Sequence, residues 1–196
     1  MKQGPIERLL SHVRDFGLAG LHLRVLAGLN LYRELSIFAL DLQHHRPGQK
    51  ARISIAISET VPNEGLQPHS GASCFIASHN GQIVSRLTRT VNTCRLDYID
   101  EELHLAHNEC YLHAAFTEAA YRGQGILGEL ISCACNSIPH TRALVAIAGY
   151  NQFSNRAFAK AGFKLKEVRG YYGFWRWRHH FCVQPSQAGS SRCESA

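Results

Sequence analysis

Apolar residues recur at helical spacing from about Ile6 to Glu34, predicting one or two amphipathic helices with Gly17, Gly20 and Gly28 as weak points. The period then falls to two. "ELSIFALDL" and "ARISIAIS" predict strands, and in the second Ile53, Ile55 and Ile57 alternate with Arg52, Ser54, Ala56 and Ser58. Pro62, Asn63, Gly65, Pro68 and Gly71 then mark a loop from Glu59 to Gly71. "CFIASHNGQIVSRLTRTV" predicts a hairpin, with Asn80-Gly81 supplying the two positive-φ positions of a tight turn. "ECYLHAAFT" predicts a strand and "GILGELISCACNSI" a helix, with Ile126, Leu127, Leu130 and Ile131 on its apolar face. Strand "RALVAIAGY", helix "NQFSNRAFAKAG" closed by Gly162, and strands "KLKEVRGYY" and "GFWRWRHHFCV" complete the pattern. From Cys74 onward the order is β-β-β-α-β-α-β-β, which implies an α/β fold with a mixed sheet and crossing helices. One domain over residues 1–183, helical through residue 35, and a disordered tail over 184–196 are the expected organisation.

Composition supports a globular chain: of 196 residues, 45% are hydrophobic and 18% charged. No stretch approaches the roughly 20 apolar residues that cross a bilayer. Glu7, Arg8, His12, Arg14 and Asp15 interrupt the N-terminus, which argues against a signal peptide and for a cytoplasmic location. The net charge of +6 admits polyanions and phosphate-rich small molecules alike. Seven cysteines without a CxxC pair read as reduced thiols. Twelve histidines are scattered, and none joins carboxylates or cysteines at a metal-site spacing, so no metal is expected. In "FWRWRHH", strand alternation sends Trp175 and Trp177 to one face and Arg176 and Arg178 to the other. Single-strand binding needs both kinds on one surface, so a final strand with one buried face is expected and nucleic acid is not.

Candidate chemistry concentrates in "YRGQGIL", residues 121–127. A strand running into a glycine-rich turn that opens a helix aims unpaired N–H groups at one spot, where the helix dipole favours an anion. Gly123 and Gly125 carry no Cβ to block close approach, and Arg122 adds a charged fork for phosphate. The stretch lacks the G-K-[ST] of a Walker loop and the G-x-G-x-x-G of a dinucleotide fingerprint. Taken alone, it also fits a purely structural turn.

A second segment, "NQFSNRAFAKAGF", follows one strand later. Together the two resemble the GNAT acyltransferase superfamily, whose pattern is R/Q-x-x-G-x-G/A after its fourth strand, then N-x-x-S/A and K-x-G-F around the next helix. Arg122, Gly125, Asn151, Ser154, Lys160, Gly162 and Phe163 fall in register with it, and the likeness runs from about Ala72 to His180. The resemblance implies a mostly antiparallel mixed sheet flanked by helices, here with an N-terminal helical extension. It implies an acyl-CoA co-substrate, acetyl-CoA first among them. The pyrophosphate would rest on backbone N–H groups of Arg122, Gly123, Gln124, Gly125, Ile126, Leu127 and Gly128. The pantetheine arm would lie along Ala115, Phe116 and Thr117, with Asn151 and Ser154 on the other wall.

The implied reaction is N-acyl transfer to a primary amine of a small molecule, with neither nucleic acid nor membrane as partner and a homodimer left open. An alkylamine has a pKa of about 10, so direct attack needs a base or water relay near neutral pH. Glu109, Tyr111 and His113 share one face of a regular strand, which makes Glu109 and His113 the candidate catalytic groups. Three departures from the family stand out. The small residue expected two places after Gly125 is Leu127, and the position where a tyrosine commonly protonates the thiolate holds Phe158. The helices usually found between the first two strands are replaced by the short loop at Glu59–Gly71. Leu127 leaves room for a longer acyl-CoA or a carrier-protein donor, and Phe158 for a non-catalytic acyl-CoA sensor.

Overall fold

The computed structural model describes residues 22–23, 25–42, 50–60, 72–91, 93–137, 141–174 and 177–185. The helical reading before residue 22, most of the loop before Ala72, and the tail from residue 186 lie outside them. Ten strands are described: β1 (Tyr32–Asp41), β2 (Ala56–Thr60), β3 (Ala72–His79), β4 (Gln82–Thr90), β5 (Cys94–Leu96), β6 (Glu101–Leu103), β7 (Glu109–Thr117), β8 (Arg142–Ala148), β9 (Lys164–Phe174) and β10 (Trp177–Val183). Two helices follow β7 and β8 respectively, α1 (Ile126–Asn136) and α2 (Gln152–Lys160). Among the described residues no helix is long and apolar enough to cross a membrane.

Eight strands form one sheet in the order β10-β9-β1-β8-β7-β4-β3-β2, while β5 and β6 pair separately. Within the large sheet only β7–β8 is parallel, and every other neighbour pair is antiparallel. The expected mixed, mostly antiparallel sheet with flanking helices is therefore present. β1 enters its centre, between β8 and β9. Residues 25–28 are helical as expected, but pairing with β9, from Tyr32↔Tyr172 to Leu35↔Arg169, draws Tyr32–Glu34 into the strand, so the end of the helical reading gives way to tertiary pairing.

The sheet separates two apolar clusters. On one face Val84, Leu87, Cys110, Leu112, Val145 and Ile147 meet Ile126, Leu130 and Ile131 of α1 and Phe158 of α2. Ile126, Leu130 and Ile131 are fully buried, each contributing about 1.5–3 kcal/mol of transfer free energy. On the other face Leu35, Ile37, Tyr111, Leu144 and Tyr171 are covered by Cys94, Leu96, Ile99 and Leu103. The β5–β6 excursion thus roofs this second face, an element the hydrophobic pattern did not reveal because each strand has only three residues. The six described cysteines are free thiols.

Two strand readings shift. "ARISIAIS" is ladder-paired only from Ala56. Upstream of it the Arg52 amide donates to the Gln124 carbonyl at 2.8 Å, so the segment crosses the start of α1 while Ala51, Ile53 and Ile55 pack on the core. At the other end of the chain, β9 runs to Phe174 and β10 begins at Trp177. Trp177 is 80% exposed and Arg178 stacks over Tyr171 at 4.6 Å, so the expected buried tryptophan face is not formed there. Trp175 and Arg176 lie outside the described residues.

Candidate functional site: a forked sheet beside a glycine turn

β7 and β8 run parallel only from Glu109↔Arg142 to Leu112↔Val145. Beyond Leu112 the ladder stops, although β7 continues to Thr117 and β8 to Ala148. The cause lies on the other side of β7. Its pairing with β4 jumps from Thr88↔His113 to Arg86↔Phe116, so Ala114 and Ala115 together face Leu87. Ala114 takes φ +51°, in the left-handed region. This is a β-bulge, which bends its strand and re-aims the residues beyond it. The bend falls where β7 leaves β8, and it opens a fork whose prongs are His113–Thr117 and Ala146–Ala148. Ser85 fixes the bent prong through its hydroxyl, 2.8 Å from both the Phe116 carbonyl and Thr117 Oγ1.

The glycine turn stands at the tip of the same prong. A 3-10 turn at Ala119–Tyr121 leads to Gly123 (φ +77°) and Gly125 (φ +86°), and Gly125 caps α1 with no side-chain hydrogen bond. Both φ values lie in the left-handed region that favours glycine. The first amides of α1 have no partner within the helix and point out of its N-terminus. Arg122 Nε donates to the Thr117 carbonyl at 3.1 Å, tying the turn to the end of β7. Residues 50–52 brace the turn from behind: Lys50 O lies 3.4 Å from where a Gly125 Cβ would sit, and the Ala51 amide donates to Glu129 Oε2 at 2.8 Å. Leu127 is half-buried and packs on the core, so its bulk points inward.

Asn151 caps α2 by accepting from the Ser154 amide at 3.2 Å, so the two carried-over residues meet each other at the helix start. One turn on, Asn155 Oδ1 is buried with no partner among the described residues, a residue that the motif did not single out. An uncompensated buried carbonyl costs about 1–3 kcal/mol, which a ligand donor would recover. Phe158 is 1% exposed and packs edge-on against Phe163 at 5.2 Å, so the tyrosine position is here a core phenyl. The region thus combines an open helix N-terminus at Gly125, a strand prong left unpaired along β7, and an orphaned acceptor on α2.

The two candidate catalytic groups are placed differently. Glu109 opens β7, at the closed end of the fork. Its carboxylate accepts from Arg142 Nη1 and from the Ala106 amide, both at 3.2 Å. His113 is the first residue past the last β7–β8 pair, half-buried, with Nε2 2.9 Å from the buried Thr90 Oγ1. Its ring stacks on Tyr111 at 5.5 Å. Burial pushes the Tyr111 phenol well above the usual tyrosine range. Tyr111 is therefore a neutral wall, and the His113 ring is held between it and Thr90 of β4.

Sequence reasoning passed over two neighbours at the start of β1, Arg33 on the face roofed by β5–β6 and Glu34 on the opposite one. Arg33 Nη1 donates to the Tyr98 carbonyl at 3.1 Å, and its guanidinium sits 5.1 Å over the Tyr98 ring. Glu34 accepts from the Tyr32 hydroxyl at 2.5 Å, and its Oε1 lies only 2.0 Å from where a Cβ on Gly149 would sit. Burial, then the Glu34 carboxylate, push the Tyr32 phenol upward. Burial likewise raises Tyr98 to about 12. No signal in the sequence separated Arg33 and Glu34 from ordinary surface charges.

The parallel pair split by a bulge, with a glycine turn and helix at its mouth, is the fold of the GNAT proteins. The GCN5-related N-acetyltransferase from Kribbella flavida aligns at TM-score 0.50 and 13% identity, covering 86% of this chain and 64% of its own. A functionally unknown conserved protein from Staphylococcus epidermidis aligns at TM-score 0.52 and 9% identity, covering 94% of this chain and 69% of its own. The chain thus spans about two thirds of the length of either. No protein-family model and no curated protein matches the sequence.

Proposed function

We propose that this protein is an acyl-CoA-dependent N-acyltransferase, with acetyl-CoA as the first donor to test and a small-molecule primary amine as acceptor. The observation that carries the reading is the coincidence at one end of the sheet of the Ala114 bulge, the open fork and the Gly123–Gly128 turn. A bound acyl-CoA would supply an activated thioester carbonyl. The turn amides, with the α1 dipole behind them, hold a pyrophosphate, and the free edge of β7 offers hydrogen bonds to an extended amide arm. His113, fixed by Thr90, takes the surplus proton of the incoming amine. The transfer forms one C–N bond and breaks one C–S bond. The departing thiolate, with a pKa of roughly 8.5, takes its proton from solvent in place of the missing tyrosine. Incubating the protein with acetyl-CoA and a panel of primary amines, and following free thiol, tests the reading. Binding of acetyl-CoA without thiol release above the uncatalysed rate would favour the sensor alternative, which Phe158 motivates.

A further inference from the structure

Strand pairing sorts the side chains of β3, β4 and β7 onto two unlike faces. Leu87 pairs with Phe75, and both are buried in the cluster that α1 covers. Arg86 and Thr88, on either side of Leu87, therefore point to the opposite face. Thr88 pairs with His113 and Arg86 with Phe116, so those partners share that face, in keeping with the 2.9 Å contact between His113 and Thr90. Ile76 pairs with Arg86, and Ile83 with Ser78 two residues on, which places both isoleucines there too. The roof of β5 and β6 packs on this side of the sheet only over Leu35, Ile37, Tyr111, Leu144 and Tyr171. Ile76, Ile83 and Phe116 join neither apolar cluster, and Ile83 and Phe116 are 57% and 43% exposed.

Arg86 stands among these apolar residues without an anionic partner. Among the described residues its guanidinium makes neither a side-chain hydrogen bond nor an ion pair, and it lies over the Phe116 ring at 5.7 Å. The nearby carboxylates are engaged elsewhere. Glu59 pairs with Phe75 on the helix-covered face and meets Arg89 there, and Glu109 at the closed end of the fork meets Arg142. A guanidinium held over an aromatic ring keeps its N–H edge free for two parallel bonds to a carboxylate. Strand geometry also sets its distance from His113. At about 3.4 Å per residue along β4 and about 4.8 Å between strands, the two Cα atoms lie about 8 Å apart. A plain alkylamine at His113 would lie on the apolar residues and leave the cation unmet. An amine whose apolar chain ends in an anion would use both.

We infer that Arg86 determines acceptor specificity, and that the acceptor is a primary amine carrying an anionic group beyond a short apolar spacer, with the amine at His113 and the anion at Arg86. The inference rests on the acyltransferase reading for its purpose but not for its test. Calorimetric titration with 6-aminohexanoate is compared with hexylamine, which lacks the anion, and 3-aminopropanoate with propylamine, a pair too short to span the two residues. Each titration is run on the free protein and again with CoA present. The longer amino acid is expected to bind at least about fivefold tighter than its matched amine, the upper range for a solvent-accessible ion pair, and the shorter one to show no such advantage. Arg86 is exposed, so Arg86→Gln should keep the fold by circular dichroism, abolish the advantage, and leave hexylamine affinity within twofold. No binding of 6-aminohexanoate, equal affinity for it and hexylamine, an equal advantage in the short pair, or an advantage that survives Arg86→Gln overturns the inference. Acetyl-CoA is titrated separately. Binding of 6-aminohexanoate through Arg86 without acetyl-CoA binding keeps the anion anchor and removes the acyltransferase reading. Thiol release from acetyl-CoA with hexylamine, but no preference for the anionic amine, does the reverse.

Discussion

Replacing Ala114 is the sharpest way to perturb the fork, because the bulge depends on one residue held at φ +51°. A left-handed conformation costs an L-residue roughly 1–2 kcal/mol, a strain that glycine escapes. Glycine in turn loosens the unfolded chain, at a cost of about 0.4–1 kcal/mol. The Ala114 side chain is exposed, so its removal sacrifices little burial. Ala114→Gly should therefore change stability by between about 0 and +1.6 kcal/mol, keeping the bulge. Ala114→Val does the opposite. A β-branched residue is a steric outlier at positive φ, so the protein either carries strain on the order of 2 kcal/mol or loses the bulge. Losing it slips the end of β7 by one residue, turning Ala115, Phe116 and Thr117 to the opposite faces and breaking both Ser85 contacts. Urea unfolding and calorimetric titration with CoA read the two effects. The glycine variant should keep CoA affinity within threefold of the parent, and the valine variant should lose at least tenfold. A valine variant as stable and as tight as the parent would show that the bulge is not what opens the fork.

Other residues make separable predictions. His113→Gln should lower turnover about 10²–10⁴-fold while leaving acetyl-CoA affinity within twofold, whereas Glu109→Gln should act mainly on stability through the lost Arg142 pair, by about 1 kcal/mol; steady-state kinetics beside urea unfolding separates them. Arg89 is 5% exposed and donates to the Ala134 carbonyl and Ser137 Oγ at the end of α1 and to the half-exposed Glu59, so Arg89→Met should cost about 1–3 kcal/mol, chiefly by leaving the Ala134 carbonyl unmatched, as thermal unfolding would show. Burial pushes the thiols of Cys110 and Cys135 up to about 11 and about 12. Between the ordinary thiol pKa of about 9 and those values the unfolded chain loses protons that the folded chain keeps, so stability is intact below about pH 9 and falls as pH rises above it. Urea midpoints at pH 8 and pH 10 check the sign.

Much of the fold was legible because period and turn chemistry agreed. Asn80 and Gly81 carry φ +51° and +79° at the predicted hairpin, and Gly125 opens α1 where the motif put it. Three kinds of information were not in the pattern. The place of β1 between β8 and β9 is set by long-range pairing, which leaves no local mark. β5 and β6 are too short to show a period. The bulge rests on an alanine, a residue with no preference for positive φ, so a regular strand was the natural reading and the fork could be inferred only from the family resemblance. The site shows the same split. Glycines and caps announce themselves in sequence, whereas the contacts of Arg33 with Tyr98 and of Glu34 with Gly149 are made by long-range pairing and leave no local mark.

The central claim is that the Gly123–Gly128 turn and the β7/β8 fork together hold an acyl-CoA. Isothermal titration of the protein with acetyl-CoA, run in parallel on Gly125→Asp, tests it most directly. The substitution puts a Cβ against Lys50 and Ala51 behind the turn, strained at φ +86°, and adds a negative charge at the N-terminus of α1 that opposes a bound pyrophosphate. The account predicts saturable binding in the micromolar range to the parent and none to the variant, provided circular dichroism shows the variant folded. Absence of binding to the parent at millimolar acetyl-CoA, or equal affinity in the folded variant, would contradict it.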